Sequence, residues 1–183
     1  MTSLWSLPTK AEIGGKEYEL STDFRDVLDI IDVLKDEAAP EPVRWEIASR
    51  LFFGEEIPIA SQKEAIGFFI EFLTYGDQSG SQKPQKKLID WTLDASVIIG
   101  DVNKVAGFEI RSAPYVHWWT FLAYFNGIGE GQLSTIVGIR SKLQKGKPLE
   151  KWEQEYYNEH KDQIEFRAPQ EANEAREYFD KWL

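Results

Sequence analysis

Residues 115–125 read YVHWWTFLAYF. On a helical wheel Tyr115, Trp118, Trp119, Leu122 and Phe125 fall on one side, and Val116, Phe121, Ala123 and Tyr124 occupy much of the remainder. A helix that is apolar nearly all round has to be covered on most of its sides. With His117 and Thr120 inside it, the stretch is far shorter than the about 20 residues that cross a membrane. Two readings follow. It is the central core helix of a small helical domain, or one aromatic flank forms an interface, where Tyr and Trp are enriched. On the second reading Trp118, Trp119, Phe121 and Tyr124 are the candidate partner-binding residues.

Working outward, the same helical grammar continues in both directions. Pro114 is expected to open this helix and Asn126-Gly127 to close it. Gly131 to Lys142 carries Leu133, Ile136, Val137 and Arg140 at helical spacing. Pro148 is expected to open LEKWEQEYYNEHKD, with Leu149, Trp152, Tyr156 and His160 in register. Pro169 opens a last helix lined by Ala172, Ala175, Phe179 and Trp182. Upstream, Asp90 to Ala106 reads as a helix capped by Asp90 or Thr92 and stopped at Gly107. Ser61-Gln62-Lys63-Glu64 has the form of a capping box before Ile66, Phe69, Phe72 and Leu73, with Gly76 as the stop. Pro42 suits the first position of a helix through Phe53 that stops at Gly54. Ser21-Thr22-Asp23 can cap a helix with Phe24, Val27, Leu28, Ile31 and Leu34 inward. Before it, Gly14-Gly15 between AEI and KEYEL signals a tight hairpin, since glycine supplies the positive φ angles of such turns. Residues 76–87, GDQSGSQKPQKK, hold no large apolar side chain and read as a flexible internal linker. The expected fold class is mainly α: a multi-helix single domain over 1–183, with residues 1–20 a β-hairpin arm.

Composition narrows the function classes. The 183 residues carry 31 acidic and 21 basic side chains, net −10, with no cysteine. A disulfide scaffold, a thiolate metal site and a cysteine nucleophile are excluded, and anionic membranes and nucleic acids are poor partners for this charge. With no targeting signal at the start, a soluble protein in a reducing compartment is expected. His117 and His160 are the only histidines, and neither stands in a metal-ligand spacing. Asp23, Asp26, Asp29 and Asp32 recur every third residue, which walks the carboxylates around the helix instead of converging them, so a solvated face is expected. There is no Gly-x-Ser-x-Gly elbow, and Gly127-Ile128-Gly129-Glu130-Gly131 lacks both the preceding strand and the lysine of a phosphate loop. No catalytic residue, cofactor or metal is therefore assigned. Arg140, Lys142, Lys145 and Lys147 form a basic cluster at a helix end, where cations favour the macrodipole without any ligand. A nucleic-acid contact or an acidic protein surface are the alternatives for it.

Leu7 to Arg25, LPTKAEIGGKEYELSTDFR, resembles the N-terminus of a family of bacteriophage tail proteins, in which proline, a short hairpin and Thr-Asp-Phe-Arg follow in that order. Tyr115 to Gly131, YVHWWTFLAYFNGIGEG, resembles the same family's aromatic His-Trp-Trp-x-Phe…Asn-Gly block, and Gly138-Ile139-Arg140 its Gly-x-Arg element; Arg140 is also counted among the candidate partner-binding residues. The family comprises gene-product-fifteen-type proteins of phages and prophages of Gram-positive bacteria, and the resemblance runs from about residue 7 to 165. It implies a helical, non-enzymatic tail-assembly chaperone in the bacterial host cytoplasm. The implied partners are the tape-measure protein and the tail-tube protein, with self-association into oligomers. The alternatives are a minor structural component retained in the virion and a nucleic-acid-binding regulator using the 140–147 cluster.

Overall fold

The computed structural model describes residues 5–74 and 87–165. Most of the 76–87 linker, the Gly76 stop and the helix expected from Pro169 with Ala172, Ala175, Phe179 and Trp182 lie outside the described residues. Within them the fold class is as expected: a two-stranded antiparallel hairpin followed by α-helices. No helix among the described residues is long and apolar enough to cross a membrane.

Strands β1 (Lys10–Ile13) and β2 (Lys16–Glu19) pair with Ile13 opposite Lys16. Gly14 and Gly15 turn between them at φ +59° and +79°. Ala11, Ile13 and Tyr18 face inward. Helix α1 (Phe24–Lys35) starts where expected: the Asp23 carboxylate accepts the Arg25 N–H as its N-cap. Its inward row is Phe24, Val27 and Ile30, whereas Leu28, Ile31 and Leu34 are only half-buried. Asp26, Asp29 and Asp32 are exposed, as a solvated face requires. Helix α2 (Glu41–Phe53) ends on Gly54 at φ +72°. Helix α3 (Gln62–Leu73) follows a short 3-10 turn, Ile59–Ser61.

The expected capping box at α3 does not form. Ser61 continues the 3-10 turn with helical φ and ψ and makes no side-chain cap. Glu64 instead accepts the N–H of Gly14 at 3.0 Å, so the hairpin turn is docked on the first turn of α3. A Cβ at Gly14 would press into Ser61 Oγ, while Gly15 faces open space. Both have positive φ, but Gly14→Ala adds a clash to the backbone strain. We expect Gly14→Ala to cost about 2–3 kcal/mol and Gly15→Ala about 1 kcal/mol, read from paired thermal melts.

The proline rule holds less well further along. Helix α4 (Ala95–Ala106) starts five residues later than Asp90, because the Asp90 carboxylate is spent on the Thr92 and Leu93 N–H groups of a preceding turn. Its stop is Gly107 at φ +79°. Helix α5 (Trp118–Asn126) starts four residues after Pro114, since residues 115–117 are extended and pair with the chain around Asp23. Helix α6 (Gln132–Gln144) follows Gly131, and α7 (Lys151–Glu159) follows Glu150 instead of Pro148. In α7 the inward residue is Glu153, not Trp152, which is exposed. A short α8 (Lys161–Ile164) follows.

The chain groups into two compact units, Met1–Pro84 with Val102–Gly127, and Gln85–Asp101 with Ile128–Leu183. The first has an aromatic core. Phe52 touches Phe53, Phe69 and Phe72 at ring separations of 4.6–4.9 Å, and Phe24 of α1 stacks on Phe121 of α5 at 4.7 Å. The second unit buries Val97, Ile98, Leu133, Ile136, Ile139 and Ile164. There the start of α6 is capped from outside: Asp101 of α4 accepts the Leu133 N–H at 2.9 Å. A Cβ at Gly131 would lie 2.7 Å from that carboxylate, so this glycine is the space the cap needs.

Candidate functional site

The two sequence blocks that stand out most, Thr22-Asp23-Phe24-Arg25 and Tyr115 to Phe125, meet in the first unit. The Phe24 N–H donates to Val116 O and the Trp118 N–H to Thr22 O, at 2.9 and 2.7 Å. The Asp23 carboxylate accepts the Val116 N–H at 3.0 Å, and the Thr22 and Tyr115 hydroxyls are hydrogen-bonded. Arg25 donates to the carbonyls of Ala113 and Pro114 and pairs with Asp23. Burial pushes the Asp23 carboxyl up, but its bonds to Arg25 and to two backbone N–H groups outweigh this and hold it below its ordinary value.

Trp118 and Trp119 close the other side. Their indole N–H groups donate to Leu73 O and Phe72 O, at 3.2 and 2.8 Å. These are carbonyls of the last turn of α3, which has no intrahelical partner for them. His117 Nε2–H donates to Pro8 O at 3.0 Å, and its Nδ1 accepts the Trp119 N–H at 3.0 Å. The carbonyl can only accept and the amide can only donate, so the ring is the neutral Nε2–H tautomer.

Burial also pushes the His117 pKa below its ordinary 6.5, although the Pro8 carbonyl opposes this. The unfolded chain therefore binds a proton that the folded one resists. The stability His117 supplies is complete above about pH 6.5 and is lost as the pH falls from there toward the lower folded value. Urea midpoints should drop over this window, before most carboxylates titrate near pH 4. His117→Asn keeps a cap acceptor but has no titration, and its midpoint should stay flat over the same range.

Three of the candidate partner-binding aromatics lie in this core: Trp118 and Trp119 are each 2% exposed and Phe121 1%. Tyr124 is half-buried, with its ring edge-on to Phe108. Trp118, Trp119 and Phe121 are thus core residues of the first unit, while Tyr115 is 51% exposed and Leu122 and Phe125 are half-buried.

Arg140 lies in the second unit and is also interior. It forms a bidentate pair with Asp94, at 2.6 and 2.9 Å, in which both side chains are almost fully buried. It also donates to the carbonyls of Leu88, Gln163 and Ile164. The basic cluster is consequently not one patch. Arg140 is consumed inside, and Lys142 pairs with Glu153 at 2.7 Å, which together with the Glu150 N–H holds the Glu153 carboxyl below its ordinary value. Lys145 and Lys147 alone of the four are exposed. Among the described residues no group of three or more His, Asp or Glu is placed to hold a metal ion.

An open apolar groove lies elsewhere, on α2, α3 and the connection between them. A groove of about 440 Å³ is walled by Trp45, Ile57, Ile59 and Ile66. Trp45 is fixed as a wall by its edge-on contact with Phe69, at 6.2 Å and 88°. Ile59 follows Pro58 on the rim and is 86% exposed. Glu46, Arg50 and Glu56 border the groove, with Arg50 bonded to Glu56 at 2.8 Å and to Glu46 at 3.3 Å. Beyond this ionic ridge Val43, Ile47 and Leu51 expose a second apolar row at four-residue spacing. The sequence signal for this surface is weak. Val43, Ile47 and Leu51 stand on one face, but nothing in the sequence pattern says that α1 and α3 leave that face open.

These features define a mainly helical protein with an N-terminal hairpin, whose motif residues serve its own interior and which carries an open apolar groove beside α2 and α3. The chain belongs to the bacteriophage Gp15 protein family, whose sequence model matches residues 5–166. It is a phage-related protein, and the match includes both sequence blocks that meet at His117. No curated protein and no solved structure matches the chain.

Proposed function

We propose that this chain is a non-enzymatic tail-assembly chaperone that binds the tape-measure protein during tail morphogenesis, in the host cytoplasm. Membership of a phage family supports the setting. The observation that carries the role is the open groove walled by Trp45, Ile57, Ile59 and Ile66. Such a surface suits reversible cover of an apolar helical partner. The tail-tube protein and further copies of this chain are secondary partners in this reading.

Co-expression with the tape-measure protein of the same phage tests it. The expected result is that the tape-measure protein becomes soluble and co-purifies with this chain. A tape-measure protein that stays insoluble and never co-purifies overturns the reading. Finding this chain at fixed stoichiometry in purified virions replaces the chaperone role with a structural one.

A further inference from the structure

The groove also specifies the chemistry of what fills it. Its walls are α2, the first turns of α3 and, through Glu56, Ile57 and Ile59, the connection between them; the two helices' backbone groups are already bonded to one another. They offer no sheet edge, so an occupant gains few main-chain hydrogen bonds and has to satisfy its own. A helix does this. The apolar walls call for bulky aliphatic or aromatic anchors on one face of that helix, and the volume falls in the usual range of binding pockets, about 300–1,000 Å³.

The rim decides the charge. Glu46 and Glu56 share a single cation, Arg50, and all three are largely exposed. One carboxylate charge is therefore in surplus at the lip. Glu41 stands in the first turn of the same helix, and Lys63, which follows the lining residue Gln62, is an exposed cation nearby. The wider field is strongly acidic, since residues 1–75 hold 15 acidic and 7 basic side chains. An occupant with acidic flanks would be repelled, and one with Lys or Arg flanks would be steered in.

We propose that the α2–α3 groove is a selective site for a cation-flanked amphipathic helix, with aliphatic anchors seated between Trp45, Ile59 and Ile66 and basic side chains at Glu46 and Glu56. This rests on the chaperone reading for its biological partner, but the groove's preference is a property of the chain alone.

The test uses the full chain and two fluorescein-labelled synthetic helices of 20 residues. Both carry leucine at i, i+3, i+4 and i+7 positions. One has lysine and the other glutamate at the flanking positions. Fluorescence anisotropy is expected to show the lysine helix binding at least about tenfold more tightly, with affinity falling several-fold as salt rises. Ile59→Asp, at an exposed position that leaves folding intact by circular dichroism, should abolish binding. Glu46→Gln with Glu56→Gln should keep the lysine helix bound but remove most of its advantage and its salt dependence. Equal binding of both helices, binding of neither, or wild-type affinity in Ile59→Asp overturns the proposal. Co-purification with the tape-measure protein alongside equal binding of both helices would leave the chaperone reading standing and remove this one. Lysine-helix selectivity without co-purification would do the reverse.

Discussion

Arg140→Ala is expected to destabilise the protein by about 3–5 kcal/mol, because it strands the Asp94 carboxylate in the interior. Asp94 is fully buried, and Arg140 supplies both of its guanidinium bonds. The same guanidinium satisfies carbonyls of Leu88, Gln163 and Ile164, which the substitution also leaves without that donor. A loss of this size is a large share of the about 5–15 kcal/mol that holds a domain folded. Arg140→Lys should rescue only part of it, since an ammonium has no planar fork for a bidentate carboxylate. Removing both charges, with Asp94→Leu and Arg140→Met together, should recover most of the loss, because it is the unpaired charge that is costly. Urea titrations of the four chains measure all of these. If the single Arg140→Ala variant melted like wild type, the pair would not be a structural element of the second unit.

Trp119→Ala should cost about 3–5 kcal/mol, the range for removing a buried large aromatic side chain. The indole is 2% exposed, lies against Phe72 at a ring separation of 6.0 Å and donates to that residue's carbonyl. Trp119→Phe separates the two contributions. It retains a ring but leaves the Phe72 carbonyl without its donor, and should cost about 1–3 kcal/mol. Because that carbonyl closes α3, amide exchange in the last turn of α3 should speed up in the Phe variant more than exchange in α5 does. Uniform acceleration throughout the first unit would count against this division of labour. Loss of partner binding in either variant would reflect a damaged core, and has to be judged against Ile59→Asp, which leaves the core untouched.

Local devices were legible in the sequence. Gly14-Gly15, the Asp23 cap and the glycine stops at Gly54 and Gly107 each depend on the conformation of one or two residues, and each stands where expected. The late starts of α4 and α5 were not legible, because each depends on a distant or competing partner, and at α7 the local Glu150–Glu153 capping box prevailed over Pro148. Residues 115–117 are extended since Thr22 and Phe24 pair with them from about 90 residues away, and Glu64 serves Gly14 instead of capping its own helix. The 115–125 stretch announced burial correctly, yet its wheel could not distinguish core from interface. What resolves this is two indole bonds to α3. Arg140 read as one of four cations at a helix end, and only the fold brings Asp94, 46 residues away in the chain, against it. The groove was the least legible feature, because it is defined by what α1 and α3 do not cover.

The bond from His117 to Pro8 spans 109 residues, and the one from Tyr115 to Thr22 spans 93. During synthesis the hairpin and the Thr22–Arg25 segment are therefore made early and wait for their partners. At about 5–20 residues per second, the delay is roughly 5–20 s. By the end of that interval Phe52, Phe53, Phe69 and Phe72 have been made, but Trp119, which packs on Phe72 and bonds its carbonyl, has not. The nascent first unit is thus a transient aggregation hazard, closed by a late segment like a drawstring. A chain truncated before Trp119 lacks that closure altogether, and is expected to be cleared by proteolysis faster than the full-length protein.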